Sequence, residues 1–282
     1  RGLAPENTLV GFEVALAEGA STLELDVFLS ADKVPVVHHD AALNADLARG
    51  PDGQWLAAPG PLIRSLSVAQ LKAYDVGRIR PGSDLARAFP SQTPADGQRI
   101  PTLAEVLDRV KARGQPTPRV NIEIKLNPYR PAEHDSVSDV VQAVLADVER
   151  AGLAERVLIQ SFNWEVMQRV QTLAPGIATA YLTLQSGRGP NVNDPRWMAG
   201  RRVSEFGHSV PRMVKAAGGR IWTPNFNDLN ADLVREARSL GLQVIPWTVN
   251  EIADMERLIA WGVDGLITDY PDRARQAAAK RR

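Results

Sequence analysis

Two short apolar runs carry charges where charges are costly. In Leu23-Glu24-Leu25-Asp26-Val27 and Asn121-Ile122-Glu123-Ile124-Lys125, charged and apolar residues alternate. Side chains on a strand alternate between its faces, so Glu24 and Asp26 point one way while the three apolar residues around them point the other. Glu123 and Lys125 share a face in the same manner. Parallel strands are normally covered on both faces, and an unpaired buried ion costs several kcal/mol. Three carboxylates therefore converge only around a cation or on water, and one lysine cannot neutralise them. The plainer alternative is a solvated strand surface, or ion pairs that satisfy one another. With no cysteine and only four histidines in the chain, a site here is all oxygen. That donor set suits one divalent cation, Mg²⁺ or Ca²⁺, better than Zn²⁺, and does not choose between the two.

His39 follows Pro35-Val36-Val37-His38 and precedes Asp40. A histidine titrates near neutral pH and suits proton transfer. A lone histidine is more often a loop residue held by hydrogen bonds, but two adjacent histidines ending a strand beside a carboxylate pair make the acid/base reading equally good. Trp247 and Phe162 fall at expected strand ends, where they either wall a site or pack a barrel. His134 and His208 read as surface residues, and Asp264 and Asp269 as turn residues.

These residues need a scaffold, and the chain alternates between strand and helix patterns as a parallel sheet wrapped by helices does. The expected strands are Thr22–Leu29, Val34–His38, Arg119–Lys125, Val157–Phe162, Ile177–Thr183, Arg220–Phe226, Gln243–Val249 and Gly265–Tyr270. Thr102 with Glu105 forms a capping box, and Asn163, Asn230 and Asn250 are expected N-caps. Gly19, Gly114, Gly152, Gly219, Gly241 and Gly262 fall where helices should end. The fold expected is α/β, a TIM (β/α)8 barrel forming a single domain over residues 1–282. An insertion rich in Pro, Gly, Asp and Arg, at about 41–100, follows the second strand. Val34–His38 follows Leu29 too closely for a helical crossover and reads as an extension beside that strand. Seven barrel strands then remain, so the first is expected upstream of Arg1.

The 282 residues hold 33 Lys and Arg against 33 Asp and Glu, a formal net charge of zero. No broad electrostatic footprint for nucleic acid is present, so any anion is recognised locally. No apolar run is long enough to span a bilayer, and stable membrane insertion is not expected.

Taken together, Ala4-Pro5-Glu6-Asn7-Thr8, Glu24-Leu25-Asp26-Val27, Val36-Val37-His38-His39-Asp40, Ile100-Pro101-Thr102-Leu103, Asn121 to Lys125, Pro246-Trp247-Thr248-Val249-Asn250 and Gly262 to Asp269 follow a known order. The chain resembles the glycerophosphodiester phosphodiesterases over nearly its whole length. That resemblance implies that Glu24, Asp26 and Glu123 hold a divalent metal and that His39, directly before the aspartate, is catalytic. Lys125 would contact the phosphate, and Trp247 and Phe162 would line the alcohol pocket. The family's second catalytic histidine stands in a His-Arg-Gly motif a few residues before the segment that Arg1-Gly2 matches, and the expectation is that the full-length protein carries it.

The implied reaction hydrolyses a small glycerophosphodiester to glycerol 3-phosphate and an alcohol. The metal would polarise a phosphodiester oxygen while the two histidines move protons. One alternative is a phospholipase D or sphingomyelinase D-like lipid phosphodiesterase on the same barrel, which would need an apolar interfacial surface. Another is a catalytically inactive barrel that serves as a binding protein. Relatives with a comparable insertion are often exported, so an extracytoplasmic location is expected.

Overall fold

The computed structural model describes residues 1–57, 60–114, 118–187 and 189–280. Two compact units are separated by the pattern of internal packing. The first comprises Arg1–Lys125 and Tyr129–Val157, and the second comprises Leu126–Pro128 and the chain from Leu158 onward.

The first unit contains α1 (Leu9–Ala17), β1 (Thr22–Leu29), β2 (Pro35–Val37), α2 (Val68–Leu71), α3 (Asp84–Ala88), α4 (Leu103–Ala112), β3 (Arg119–Ile124) and α5 (Val137–Ala151). β1 and β3 pair in parallel, with Glu24 opposite Asn121 and Asp26 opposite Glu123. β2 folds back antiparallel on the end of β1, with Val27 opposite Val37, as its closeness in sequence required. Leu25, Val27, Ile122 and Ile124 are fully buried, which is why these strands read as apolar runs broken only on one face.

The insertion expected at about 41–100 is ordered and has a core of its own. Leu43, Ala48, Ile63, Leu71, Val76 and Ile100 pack with Phe28 of β1 and Val36 of β2. Burial of each such side chain contributes roughly 1.5–3 kcal/mol for the larger aliphatics. The helical pattern around Ser67 resolves into α2, closed by a Ser67–Gln70 capping box. α3, five residues capped by Ser83, has no apolar periodicity and no buried residue, so no pattern marked it beforehand.

The second unit contains β4 (Val157–Ser161, whose first residue closes the first unit), α6 (Trp164–Leu173), β5 (Ala178–Thr183), α7 (Val210–Ala216), β6 (Ile221–Pro224), α8 (Ala231–Ser239), β7 (Gln243–Val244), α9 (Ile252–Trp261) and α10 (Pro271–Ala279). β4, β5, β6 and β7 pair in parallel in sequence order. Leu158, Ala180 and Ile221 form a buried apolar cluster spanning β4, β5 and β6.

The expected strand Gly265–Tyr270 is not a strand, and the one expected over Gln243–Val249 shrinks to two residues. The segments still run together: Ile267 N donates to Pro246 O and Val249 N to Ile267 O, both at 2.9 Å. Two features break the ladder. Pro246 has no N–H to give, and the Asp264 carboxylate takes the Val244 N–H at 2.8 Å in place of a backbone carbonyl. Asn163 and Asn230 cap their helices as expected. Asn250 does not; Glu251 holds that position in α9, and the Asn250 amide instead accepts from Asp269 N at 3.0 Å and donates to its carboxylate at 2.8 Å. The turn after α7 takes its left-handed residue at Gly218, with φ 81°, rather than at Gly219.

Thr102 joins the expected capping box to the site's framework. Its hydroxyl accepts from Glu105 N at 3.2 Å and its N–H donates to Glu105 Oε2 at 2.8 Å. Beside it, Pro101 O receives Val37 N at 2.8 Å, which pins β2. Thr102→Ala is expected to lower unfolding free energy by about 1 kcal/mol while Thr102→Ser retains most of it. Urea denaturation of both variants checks this, and equal stability of the two would show that the cap contributes nothing.

Candidate active site

The parallel register of β1 and β3 fixes where the carboxylates meet. Asp26 and Glu123 are direct partners, and Glu24 lies two residues earlier on the same face as Asp26. One oxygen from each of Glu24, Asp26 and Glu123 lies within 4.8 Å of the other two. Asp26 and Glu123 are buried at 5% and 7% exposure, and Glu24 is half-buried. The donor set is hard and anionic, of the kind that suits one divalent cation.

Lys125 occupies the edge of this cluster. Its Nζ stands 3.3 Å from Asp26 Oδ1, 3.2 Å from Glu123 Oε1 and 3.3 Å from His39 Nε2. Burial alone would depress its pKa, but the charges of Glu123, Asp26 and Glu24 outweigh that and raise it, so Lys125 is an ammonium. With all three carboxylates ionised, one ammonium leaves a formal charge of −2, which a divalent cation would balance.

The carboxylates are not equivalent. Burial, then repulsion from Asp26 and Glu123, pushes the Glu24 pKa well above its ordinary value. Burial followed by the Asp26 charge raises Glu123, against the pull of Lys125 and His39. Burial also acts to raise Asp26, but Lys125, His39 and a hydrogen bond from Asn7 reverse it, and its pKa is lowered. Asp26 is thus the carboxylate that stays ionised, and Glu24 and Glu123 hold protons longer.

His39 reaches the cluster through β2. His38 N donates to Asp26 O at 3.0 Å, which carries the hairpin pairing to the strand's end and sets the following residue beside Lys125. His39 Nδ1 lies 2.8 Å from Asp40 Oδ1, and Asp40 Oδ2 accepts from Asn44 Nδ2 at 2.8 Å. With Nδ1–H donated to Asp40, Nε2 faces the site as an acceptor. Burial lowers the His39 pKa, but the Asp40 hydrogen bond and the Asp26 charge more than offset it, and the net shift is upward. His38 differs: it is buried at 6% exposure, its pKa is lowered by desolvation, and its Nδ1 is engaged by the backbone of Asp40.

Asn7 and Asp40 are contributors that motif reading passed over. Asn7 adopts a left-handed backbone, φ 52°, which asparagine tolerates better than most residues. Its Nδ2 donates to Asp26 Oδ2 at 2.9 Å, and its Oδ1 accepts from Asp26 N at 3.4 Å. The turn that presents Asn7 packs tightly on α1: a Cβ at Gly11 would sit 2.3 Å from Pro5 O, so only glycine fits. The signal for Asn7 lay in the Pro5-Glu6-Asn7-Thr8 run, where Thr8 caps α1 by accepting from Gly11 N at 3.1 Å.

Phe162 and Trp247 meet each other in the second unit, ring centroids 5.3 Å apart and perpendicular. Trp197, not singled out in the sequence, stands edge-on to Phe162 at 6.4 Å, and Trp247 Nε1 donates to Thr223 O at 2.9 Å. Both expected aromatics remain half-buried.

The profile of the glycerophosphoryl diester phosphodiesterase family matches residues 1–273. A glycerophosphodiester phosphodiesterase of Bacillus subtilis (strain 168) is 30% identical over 276 residues, covering 96% of this chain and 81% of that protein. One from Caldanaerobacter subterraneus subsp. tengcongensis is 30% identical over 268 residues, covering 95% and 90%. Among solved structures, a Silicibacter pomeroyi DSS-3 protein assigned provisionally to the same phosphodiesterases is 36% identical, with a TM-score of 0.89 over 100% of this chain and 90% of that one. An Oleispira antarctica phosphodiesterase in complex with the product sn-glycerol-3-phosphate matches at TM-score 0.71 and 22% identity, over 99% and 93% of the two chains. At that identity the likeness bears on fold. The fold class is α/β, of the TIM-barrel type.

The raised Glu24 pKa has a sign that stability can report. A carboxyl whose folded pKa is raised binds more protons folded than unfolded, so its favourable contribution is full below the ordinary value of 4.5 and is lost as pH rises through the folded value. In chelator-treated protein, Glu24→Gln is therefore expected to be more stable than wild type at neutral pH, the gain vanishing near pH 4. Denaturant titrations at both pH values measure it. A gain of equal size at both would show that Glu24 is not perturbed.

Proposed function

The chain belongs to the glycerophosphoryl diester phosphodiesterase family, a family of phosphoric diester hydrolases, and on that premise we propose that it cleaves glycerophosphodiesters to glycerol 3-phosphate and an alcohol, using a divalent cation and histidine acid/base catalysis. The observation that carries the metal reading is the convergence of Glu24, Asp26 and Glu123 in a largely buried cluster that one lysine leaves short of neutrality.

In this reading Glu24, Asp26 and Glu123 hold the cation. When bound, it supplies Lewis-acid polarisation of a phosphodiester oxygen and offsets the charge that develops in the transition state. Lys125, a buried ammonium at the rim of the cluster, takes a second phosphate oxygen and fixes the diester's orientation. His39 moves a proton at Nε2, because Asp40 holds Nδ1. An imidazole oriented in this way is a competent base toward water or, once protonated, a competent acid toward the departing alcohol. Asn7 positions Asp26 by bonding to both its carboxylate and its backbone N–H. Mg²⁺ and Ca²⁺ both suit the donor set.

The test is release of glycerol 3-phosphate from a panel of glycerophosphodiesters. Chelator treatment and Glu123→Gln are each expected to lower kcat by about 10²-fold or more, with Mg²⁺ or Ca²⁺ restoring the chelated wild type. Activity indifferent to both treatments would remove the cation from the mechanism. Release of no glycerol 3-phosphate from any diester would refute the hydrolase reading, and equal turnover of an intact phospholipid would redirect it to lipid phosphodiesters.

His39→Ala is expected to reduce kcat by about 10²–10⁴-fold while cation affinity, followed by calorimetry, stays near that of wild type. A fall in activity explained wholly by weaker cation binding would deny His39 a role in proton transfer.

A further inference from the structure

Asn121 lies on β3, two residues before Glu123 and on the same face. Its register partner on β1 is Glu24. It is buried at 4% exposure between the fully buried Val120 and Ile122, and its Oδ1 finds no hydrogen-bond partner among the described residues.

A stranded acceptor in a strand interior is unfavourable twice over. Asparagine is a poor strand former, and a buried carbonyl without a donor forfeits the hydrogen bond it would have had with water. An apolar side chain of similar volume would remove both costs. Unsatisfied buried groups in native proteins call for an account, and here the neighbours supply one.

We propose that Asn121 is a positioning residue of the cation site, its Oδ1 accepting a hydrogen bond from a water carried in the cation's shell. The proposal rests on the metal reading above. Mg²⁺ and Ca²⁺ take six or more oxygen ligands, and one from each of Glu24, Asp26 and Glu123 leaves part of the shell to water. Water on a divalent cation is a strong hydrogen-bond donor. The neighbouring carboxylates are committed to the cation and to Lys125, whereas Asn121 Oδ1 is an acceptor already in place on the same inward face. Outer contacts of this kind hold the hydrated ion in one orientation and contribute to its affinity.

Isothermal calorimetry with Mg²⁺, and separately with Ca²⁺, on chelator-stripped wild type, Asn121→Leu and Asn121→Asp tests it, together with thermal melts of the metal-free proteins. Asn121→Leu is expected to weaken cation binding by roughly ten-fold or more, while its metal-free melting temperature is unchanged or raised. Asn121→Asp, which keeps an acceptor oxygen, is expected to bind as tightly as wild type or more so. Equal affinity of the leucine variant and wild type would overturn the proposal and leave the metal reading intact. A lowered metal-free melting temperature in the leucine variant would also overturn it, by assigning Asn121 a role in packing. If wild type binds neither ion, the metal reading fails and this proposal with it.

Discussion

The constraint on which the site depends is electrostatic. Like-charged carboxylates do not collect in a covered sheet unless something of opposite charge holds them, because each ion loses its hydration and gains a repulsive neighbour. In this chain Lys125 supplies part of that charge, standing at 3.2–3.3 Å from both Glu123 and Asp26. Burial, with repulsion from the neighbouring carboxylates adding to it, raises the pKa values of Glu24 and Glu123. The rest of the first unit serves to keep that unfavourable arrangement from relaxing. The apolar faces of β1 and β3 are fully buried, the β1–β3 register makes Asp26 and Glu123 direct neighbours, and Asn7 holds Asp26 at two points.

The insertion contributes to the same end by packing rather than by chemistry. Its apolar residues cover Phe28 and Val36, so the β1–β2 hairpin that presents His39 is buried on the outside by residues from Leu43 to Ile100. Asn44, at the start of that segment, bonds the Asp40 carboxylate that orients His39. A Pro- and Gly-rich stretch with little helix thus behaves as a folded cover, because hydrophobic anchors at intervals suffice when turns supply the chain reversals.

Much of this was legible in the sequence, and the failures have physical causes. Glu24, Asp26, Glu123 and Lys125 could be placed on common faces because strand alternation depends only on parity. Capping boxes and N-caps at Thr102, Asn163 and Asn230 were legible because they depend on residues at most three apart. Asn250 could not be read in that way: its amide is claimed by Asp269, 19 residues on, which no local rule can see. The missing last strand has the same origin, since the Asp264 side chain replaces a backbone acceptor. Asn7 meets Asp26 across 19 residues and an intervening helix. Local chemistry is written locally, and tertiary hydrogen bonds from polar side chains are not.

In the proposed reading the cluster would meet two cations, Lys125 and a divalent ion, with different tasks. Lys125 follows Glu123 by two residues at the end of β3, and its Nζ stands 3.3 Å from Asp26 Oδ1 and 3.2 Å from Glu123 Oε1. That position also puts it 3.3 Å from His39 Nε2, where a positive charge opposes protonation of the imidazole while Asp40 and Asp26 favour it. A divalent ion shared among Glu24, Asp26 and Glu123 would draw on the same carboxylate charge that supports Lys125 and raises the His39 pKa. With that support reduced, His39 would become easier to deprotonate and the Lys125 ammonium freer to pair with a phosphate oxygen. On that reading, the incomplete neutralisation of the cluster would couple cation binding to proton transfer at His39.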